Sequence, residues 1–248
     1  MENEKVVDLT NEGPNPIIGG TEVYQKKDKV PRTNYWYCKI REAEFMYLDF
    51  SDLTKEDLFF DSNGKEREFK TLRQKKLKNS ISSALRRKPK SGFVWIQVCE
   101  PYIDNDGTVI FDPEKKITKP LEVCKWDDIA KNYLPENGSQ LATKAIYYLL
   151  LLRWLKDGWS TLEELADDSS EIGRYRNSKH PKNEFAGLKH FVGNTYKIVK
   201  DYNAKSGFAL MGGSYQDTGK GCPVGTVYHL NYASNVYTST VGLIILTR

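Results

Sequence analysis

Cysteine side chains could bind metals or carry redox chemistry, and this chain of 248 residues contains four of them. They are Cys38, Cys99, Cys124 and Cys222, and no two form a Cys-x-x-Cys pair. Zinc sites and dithiol redox centres use such closely spaced pairs, and disulfide frameworks are typical of small secreted domains. The spacing therefore indicates free thiols in a reducing compartment, and we expect no metal or other cofactor.

Histidine and the common catalytic motifs add little to this. The chain has three histidines, His180, His190 and His229, and their number favours ordinary polar roles. We find no Ser-His-Asp order, no phosphate-binding loop and no dinucleotide-binding glycine motif. The run 104–107 (DNDG) begins like a calcium loop. No glutamate follows it at the required place, so we predict a hairpin turn.

The region 212–248 has the composition of a binding surface. It is rich in Tyr, Ser, Thr, Asn and Gly, and its only charged residues are Asp217, Lys220 and Arg248. In antibody-like surfaces, rigid tyrosines supply contact area and small polar residues supply adaptable hydrogen bonds. The alternative is the irregular, loop-rich end of a β domain.

Positive charge is concentrated in residues 65–90, although the net charge of the whole chain is only +4. Eleven Lys and Arg residues lie there, against Glu66 and Glu68. Such a cluster attracts phosphate backbones, so a polyanion contact or an assembly role is one interpretation. The other is the solvated face of a helix, because apolar residues recur at roughly helical spacing, at Phe69, Leu72, Leu77, Ile81 and Leu85.

The elements that must position these groups are short strands and two main helices. Alternating, β-branched and aromatic residues predict strands within 33–50, 92–99, 207–211 and 241–247. Apolar periodicity predicts the basic helix over 66–87 and a helix that Thr143 caps and Gly158 ends. A short helix is predicted from Trp126, with two aspartates near its N-terminus, and residues 160–184 are expected to be loop-like.

Four short segments carry a family resemblance. They are residues 120–130 (PLEVCKWDDIA), 141–148 (LATKAIYY), 185–198 (FAGLKHFVGNTYKI), and 209–215 (ALMGGSY) together with 241–243 (VGL). In this order they resemble motifs of the formylglycine-generating-enzyme/sulfatase-modifying superfamily, which has an elaborated C-type lectin fold. The resemblance implies that Trp126 and Tyr196 are core aromatics and that Asn194 hydrogen-bonds its own loop. It also implies close backbone approach or positive φ at Gly193, Gly212 and Gly213.

The enzymes of this superfamily bind copper through two cysteines that follow the Gly-Gly-Ser motif. Cys222 falls near the second position, but Asp217 occupies the first. Cu(I) prefers a pair of thiolates, so the resemblance argues against oxidase chemistry here. An iron-dependent branch of the superfamily binds its metal through a set of histidines. This chain has only three histidines in all, which argues against that branch as well. A metal-dependent oxidase with a degenerate site is therefore the alternative, and a non-catalytic protein is our main expectation.

The non-catalytic branch consists of the variable proteins of diversity-generating retroelements, including phage tropism determinants that bind host receptors. In these proteins a hypermutated tail forms the ligand-binding surface. The resemblance assigns that role here to Tyr215, Gln216, Asp217, Thr218, Lys220, Tyr228, His229, Asn231, Tyr232, Ser234 and Asn235. Small or apolar residues would form the framework, at Gly212, Gly213, Leu230, Val241 and Gly242. The chain departs from the usual pattern at Tyr215, which replaces Trp, and at 243–244, which replaces Phe-Arg.

The expected architecture is an α+β, C-type lectin fold with short antiparallel sheets and two helices. We divide the chain into a flexible leader (1–20), an N-terminal region with the basic helix (21–115) and a lectin-like domain (116–248) with a variable region at 212–248. The N-terminal region is either the divergent first half of the lectin-like domain or a separate module.

The expected partner is a protein or glycan on a target surface. The longest apolar run, 145–152, is too short to span a membrane. The polar N-terminus shows no secretory signal, which indicates synthesis in the cytoplasm. The resemblance implies display on a virion or cell surface.

Overall fold

A seven-stranded antiparallel sheet is the largest feature of the computed structural model. The structure describes residues 4–5, 22–27, 34–40, 43–90, 92–98, 101–103, 109–111, 121–136, 138–166, 184–185, 188–189, 191, 196–213, 224–225, 227–230, 236–237 and 240–246. The strands of the large sheet are, in spatial order, β1 (Glu4–Lys5), β2 (Glu22–Lys27), β3 (Asn34–Ile40), β4 (Ala43–Asp49), β5 (Phe93–Gln97), β17 (Ile244–Leu246) and β9 (Gln140–Leu141).

The last strand of the chain, β17, lies inside this sheet. Ile245 pairs with Ile96 of β5 on one side, and Ile244 pairs with Leu141 of β9 on the other. The N-terminal strands and the C-terminal end of the chain therefore share one sheet. This arrangement favours an N-terminal region that folds together with the C-terminal region.

A second sheet has four strands, in the order β14 (Tyr228–His229), β13 (Phe208–Met211), β12 (Tyr196–Lys200) and β16 (Thr240–Gly242). β12 and β16 are parallel, and the other pairs are antiparallel. Three further antiparallel pairs are β6 (Pro101–Ile103) with β7 (Val109–Phe111), β8 (Leu121–Glu122) with β15 (Val236–Tyr237), and β10 (Glu184–Phe185) with β11 (Leu188–Lys189). The predicted turn at 104–107 lies outside the described residues, but β6 and β7 pair as its hairpin requires.

The helices are α1 (Glu56–Phe59), α2 (Leu72–Leu85), α3 (Val123–Asp128), a π-helical turn (Ile129–Tyr133), α4 (Leu134–Glu136), α5 (Lys144–Lys156) and α6 (Leu162–Ala166). The two long ones, α2 and α5, are the predicted main helices. In the described part of the chain, no helix has both the length and the apolar character needed to cross a bilayer. The predicted α+β class with short antiparallel sheets is confirmed.

The basic helix α2 begins later than predicted, because of its N-cap. Thr71 accepts a hydrogen bond from the N–H of Gln74, and the Gln74 side chain accepts one from the N–H of Thr71. This capping box satisfies N–H groups that would otherwise lack partners at a helix start. Leu72, expected on the apolar face, is 68% exposed in the first turn. The buried face instead consists of Gln74, Leu77, Ile81 and Ala84.

The caps of α5 agree with the prediction. The Thr143 hydroxyl accepts a hydrogen bond from the N–H of Ile146, and Gly158 has a φ of 74° just after the helix. A left-handed residue at this position is a common helix ending that favours glycine.

Two other predictions were wrong in detail. The helix expected at Trp126 starts at Val123, so Asp127 and Asp128 lie at its C-terminal end, and Asp127 pairs with Lys131 in the π-helical turn. Residues 160–184 were expected to be loop-like, but α6 lies there. Its start is stabilised because Thr161 and Glu164 exchange side chain–backbone hydrogen bonds.

The core has two parts. The larger packs α5 against α2 and the large sheet, and nine of the thirteen residues of α5 are buried. The smaller surrounds Trp126, which is fully buried as predicted, together with Trp95, Ile198 and Leu210. Gly242 packs directly on the indole ring: a Cβ added there would lie 2.5 Å from Trp126 Cζ3.

This contact predicts that Gly242→Ala will destabilise the fold. An added methyl group must displace either the indole ring or β16, and overpacking of this kind costs about 1–3 kcal/mol. Chemical denaturation should show a lower free energy of unfolding. In a Trp126→Leu background the added cost should shrink, because the clashing ring atoms are gone. An equal cost in both backgrounds would contradict this account.

Candidate functional site

The structure describes two of the eleven residues that are predicted to form the ligand-binding surface. Tyr228 and His229 form β14, an edge strand of the four-stranded sheet. Tyr228 is half-buried, and the side chain of His229 is 49% exposed. The other nine lie outside the described residues: Tyr215, Gln216, Asp217, Thr218, Lys220, Asn231, Tyr232, Ser234 and Asn235.

The predicted framework residues are buried wherever the structure describes their environment. These are Gly212, Gly213, Leu230 and Gly242. Gly212 and Gly213 have φ values of 91° and 74°, as the sequence predicted. A Cβ at Gly212 would lie 2.9 Å from the hydroxyl of Tyr147, so this position requires glycine for both space and backbone conformation. Gly193 and Asn194 lie outside the described residues.

Tyr228 is anchored by a second tyrosine. Its ring meets that of Tyr196 edge to face, with centroids 5.8 Å apart and an interplanar angle of 66°. Both rings pack against the smaller core cluster and remain half-buried. Tyr196, expected to be a core aromatic, is therefore a boundary residue. The pair places one face of Tyr228 against the protein and leaves part of the ring at the surface.

A buried carboxylate, Asp201, connects β14 to the rest of the molecule. Its side chain is 2% exposed and accepts hydrogen bonds from Lys144 Nζ at 2.8 Å and from the N–H of Asn203 at 3.1 Å. His229 Nδ1 lies 2.7 Å from the same carboxylate. Asp201 thereby links the start of α5, the turn after β12 and the edge strand. Burying a charge is unfavourable unless it is paired and hydrogen-bonded, and here both conditions are met.

The protonation of Asp201 follows from these contacts. Burial by itself would raise the pKa of its carboxyl group. The hydrogen bonds from Lys144 and from the backbone of Asn203, with the charge of Lys144, outweigh burial and hold the pKa below its ordinary value. The carboxylate is therefore charged at neutral pH and continues to accept its hydrogen bonds.

The turn between β12 and β13 is held by backbone bonds around Asp201. The Asp201 N–H donates to the Gly207 carbonyl at 2.9 Å, and the Asp201 carbonyl accepts from the N–H of Ala204 at 3.0 Å. The Ser206 hydroxyl donates to the Leu230 carbonyl at 2.7 Å. This ordered turn carries Tyr202, whose ring is 86% exposed.

A groove runs between α2 and this turn. Two adjoining cavities of about 520 and 720 Å³ form it and share Asn79, Ser80, Lys144 and Tyr148 as lining residues. One wall is a stripe of α2 at helical spacing: Arg73, Lys76, Ser80, Ser83 and Arg87. The opposite wall comprises Lys144, Lys200, Asp201, Tyr202, Asn203 and His229.

The floor of the groove is fixed by Tyr148. Its hydroxyl is hydrogen-bonded to Ser80, which ties α5 to α2. Burial raises the pKa of Tyr148 to about 12, so the phenol stays neutral at physiological pH. The middle of the groove therefore combines neutral hydroxyl groups with Lys144, which is paired with Asp201, and further positive charges lie towards its two ends.

Part of the basic segment 65–90 stabilises the fold. Lys78 Nζ lies 5.5 Å from the ring centroid of Phe59 and 5.1 Å from that of Phe69, which are cation–π distances. Lys88 Nζ donates hydrogen bonds to the carbonyls of Ser51 and Leu53 at 3.0 and 3.1 Å. The charge cluster seen in the sequence thus includes lysines with structural contacts and, separately, cations that line the groove.

The thiol chemistry is inert where the structure describes it. Cys38 is a free thiol, as predicted, and its side chain is buried. Burial, and then the nearby charge of Glu44, raise its pKa to about 12, so it is not a reactive thiolate. Within the described residues no three His, Cys, Asp or Glu side chains are grouped to hold a metal ion. Cys222 and Asp217 lie outside these residues, and the inference that they do not form a copper site stays a prediction.

Sequence reasoning missed Asp201 and Lys144. They are 57 positions apart, and no local pattern pairs them. The signal that was available was the turn itself, since Asp201 and Asn203 precede Gly207 between two apolar runs. The polar stripe of α2 also repeats every three or four residues in the sequence. It lies beside the apolar stripe, which was the one that predicted the helix.

We predict that Asp201→Asn will destabilise the protein in a pH-dependent way. The variant loses a charged acceptor for Lys144, a change worth about 2–3 kcal/mol at neutral pH. Because the folded-state pKa of Asp201 is depressed, its stabilisation is present above the ordinary carboxyl pKa and is lost as pH falls through the folded value. Unfolding free energies should therefore converge between variant and wild type as the solution is acidified below about pH 4.

The matched control is Asp127→Asn, which removes an exposed partner of Lys131. Such a pair contributes little, so the stability of this variant should match wild type at every pH. A constant difference between Asp201→Asn and wild type over the whole acid range would contradict the assigned charge of Asp201.

Comparison of the chain with protein-family models, curated proteins and solved structures finds no match. The residues and their geometry present two surfaces that meet at Asp201 and His229. One is the edge strand β14, and the other is the groove beside α2.

Proposed function

We propose that this chain is a non-catalytic binding protein with a C-type lectin fold, whose C-terminal surface is diversified by a retroelement. The ligand is a protein or glycan on a target surface. Exposed tyrosines of the tail supply contact area, and small polar side chains around them supply hydrogen bonds. The four-stranded sheet holds the backbone of β14, the strand of this surface that the structure describes.

The meeting of the four resembling segments supports the fold part of this proposal. Gly242 of the fourth segment packs on Trp126 of the first and on Leu141 of the second. Ile198 of the third accepts a hydrogen bond from the N–H of Leu243 at 3.1 Å. Segments that are separate in sequence thus form one packed unit, as expected if their motifs build a common scaffold.

The observation that carries the functional part is the division between framework and contact residues. The framework residues whose burial the structure describes are all buried. Tyr228 and His229 instead lie on an edge strand, where Tyr228 is half-buried and His229 is exposed. Leu230, the next residue after them, is fully buried. A surface of this kind can change its side chains without losing its backbone support. His229 is the exception, because its ring is bound to Asp201.

We expect a displayed library that varies the ten remaining contact positions to fold and to yield binders. The randomised residues are Tyr215, Gln216, Asp217, Thr218, Lys220, Tyr228, Asn231, Tyr232, Ser234 and Asn235, with His229 unchanged. Display level and protease resistance measure folding. Selection against two unrelated purified proteins, one of them glycosylated, should give separate sets of binders with tyrosine-rich sequences.

The matched library varies the framework residues Gly212, Gly213, Leu230 and Gly242 and should lose folded display. Equal loss in both libraries would show that the contact positions belong to the core and would overturn the proposal. Stoichiometric copper in the purified protein, lost on Cys222→Ser, would instead favour the oxidase alternative.

The encoding locus gives an independent prediction. A reverse-transcriptase gene should lie near it, with a near-repeat of the 3′ end that differs from the gene at adenines of the repeat. Sequencing the 3′ end from a natural population should find substitutions at the contact positions and constancy at Gly212, Gly213 and Gly242. A locus without either feature would remove the retroelement from the proposal.

A further inference from the structure

The groove beside α2 lies next to the tail surface and is not used by the proposed function. Among its described lining residues are five cations and one carboxylate: Arg73, Lys76, Arg87, Lys144, Lys200 and Asp201. Asp201 is already paired with Lys144, and His229 Nδ1 contacts the same carboxylate. Among the described residues, Lys76, Arg87 and Lys200 have no carboxylate partner in the groove wall, which points to an anionic occupant.

Three of these cations are available for a ligand. Lys76 and Arg87 are exposed on α2 and its C-terminal end, and Lys200 is half-buried at the end of β12. Within the described part of the chain none of the three pairs with a carboxylate. This distinguishes them from Lys78 and Lys88, whose positions are set by aromatic rings and carbonyl groups.

An exposed aromatic ring stands at the same end of the groove as Arg87 and Lys200. Tyr202 is 86% exposed, the highest value among the exposed large apolar side chains of the described residues. Its backbone is fixed by the hydrogen bonds of Asp201 to Asn203 and Gly207. A tyrosine kept in water on an ordered turn is positioned to stack on a planar group of a ligand.

We propose that this groove binds single-stranded nucleic acid. Phosphates contact Lys76, Arg87 and Lys200, a base stacks on Tyr202, and the Asn79 and Asn203 side chains face the bases with donors and acceptors. The lining residues extend from Arg73 to Arg87, about 21 Å along the helix at 1.5 Å per residue, which suits several nucleotides better than one. Lys76, Arg87, Lys200 and Tyr202 all lie outside the tail, so their binding of a nucleic acid does not depend on the proposed function, although tail residues such as His229 also line the groove.

A sulfated polysaccharide is the other polyanion that could occupy such a groove. It would satisfy the cations, but it has no aromatic base to stack on Tyr202. The mixture of cations, amides and an exposed ring along one groove is the combination that single-strand binding uses. The observations therefore favour a nucleic acid, and the polysaccharide becomes an outcome of the test.

The test uses the full-length protein and a fluorescent oligonucleotide of about 12 thymidines, read by anisotropy at several salt concentrations. We expect binding that weakens with salt. The double variant Lys76→Gln with Arg87→Gln should weaken oligonucleotide binding at least tenfold at low salt. It should also reduce the slope of log K against log salt by about 1.4, because each lost phosphate contact contributes about 0.7. Tyr202→Ala should weaken binding about tenfold and leave that slope unchanged.

The matched control is Lys75→Gln with Arg86→Gln, which removes the same charge from α2 at exposed positions outside the groove lining. Its affinity should fall less than threefold, and all variants should show the circular dichroism and melting temperature of wild type.

Equal losses of affinity in the two double variants would show only a general attraction between the protein and polyanions and would overturn the site. Binding of a heparin oligosaccharide that is stronger than that of the oligonucleotide and insensitive to Tyr202→Ala would also overturn it, as would absence of oligonucleotide binding at low salt. A ribonucleotide strand and a duplex of the same length identify the preferred form, and a preference for duplex would contradict the stacking role.

Discussion

The three-residue strand Ile244–Leu246 and the residue before it hold the two halves of this protein together. The strand pairs with β5 from the N-terminal half and with β9 in front of α5. Leu243 accepts a hydrogen bond from the N–H of Ala142 at 2.7 Å and donates one to Ile198. The start of α5 and the strand β12 are therefore fixed beside each other, and Lys200 donates its N–H to Ala142 at 2.8 Å. Because Lys144 begins α5 and Asp201 follows β12, these hydrogen bonds help to place the two partners of the buried ion pair beside each other.

The helix α2 shows how one short sequence can serve stability and recognition at once. One face buries Leu77 and Ile81 against α5, and a second directs Lys78 over aromatic rings. The third lines the groove and includes Lys76 and Arg87. Because no acidic residue lies within the helix, the third face keeps its positive potential. The net charge of +4 for the whole chain conceals this local concentration.

The sequence predicted those features that depend on neighbouring residues. The caps at Thr143 and Gly158 follow from local chemistry. The left-handed glycines 212 and 213 and the buried Trp126 agree with what the family resemblance implies. The start of α2 was misplaced by six residues, because charge and periodicity continue past the true cap at Thr71. The pairing of Asp201 with Lys144 and the insertion of β17 into the large sheet could not be predicted. They join positions that only the complete fold brings together.

The two candidate surfaces meet at His229 but differ in the physics of binding. The tail is almost uncharged, so its ligand would be held by aromatic area and neutral hydrogen bonds, which salt screens little. The groove would hold its ligand by releasing counterions, a contribution that weakens steeply as salt rises. Asp201 is at the place where the two surfaces meet. Its charge is balanced inside the protein by Lys144, so it neither attracts nor repels a ligand of either surface strongly. Under the two proposals, one scaffold presents a changeable surface that includes β14 and a fixed, charge-based surface in the groove.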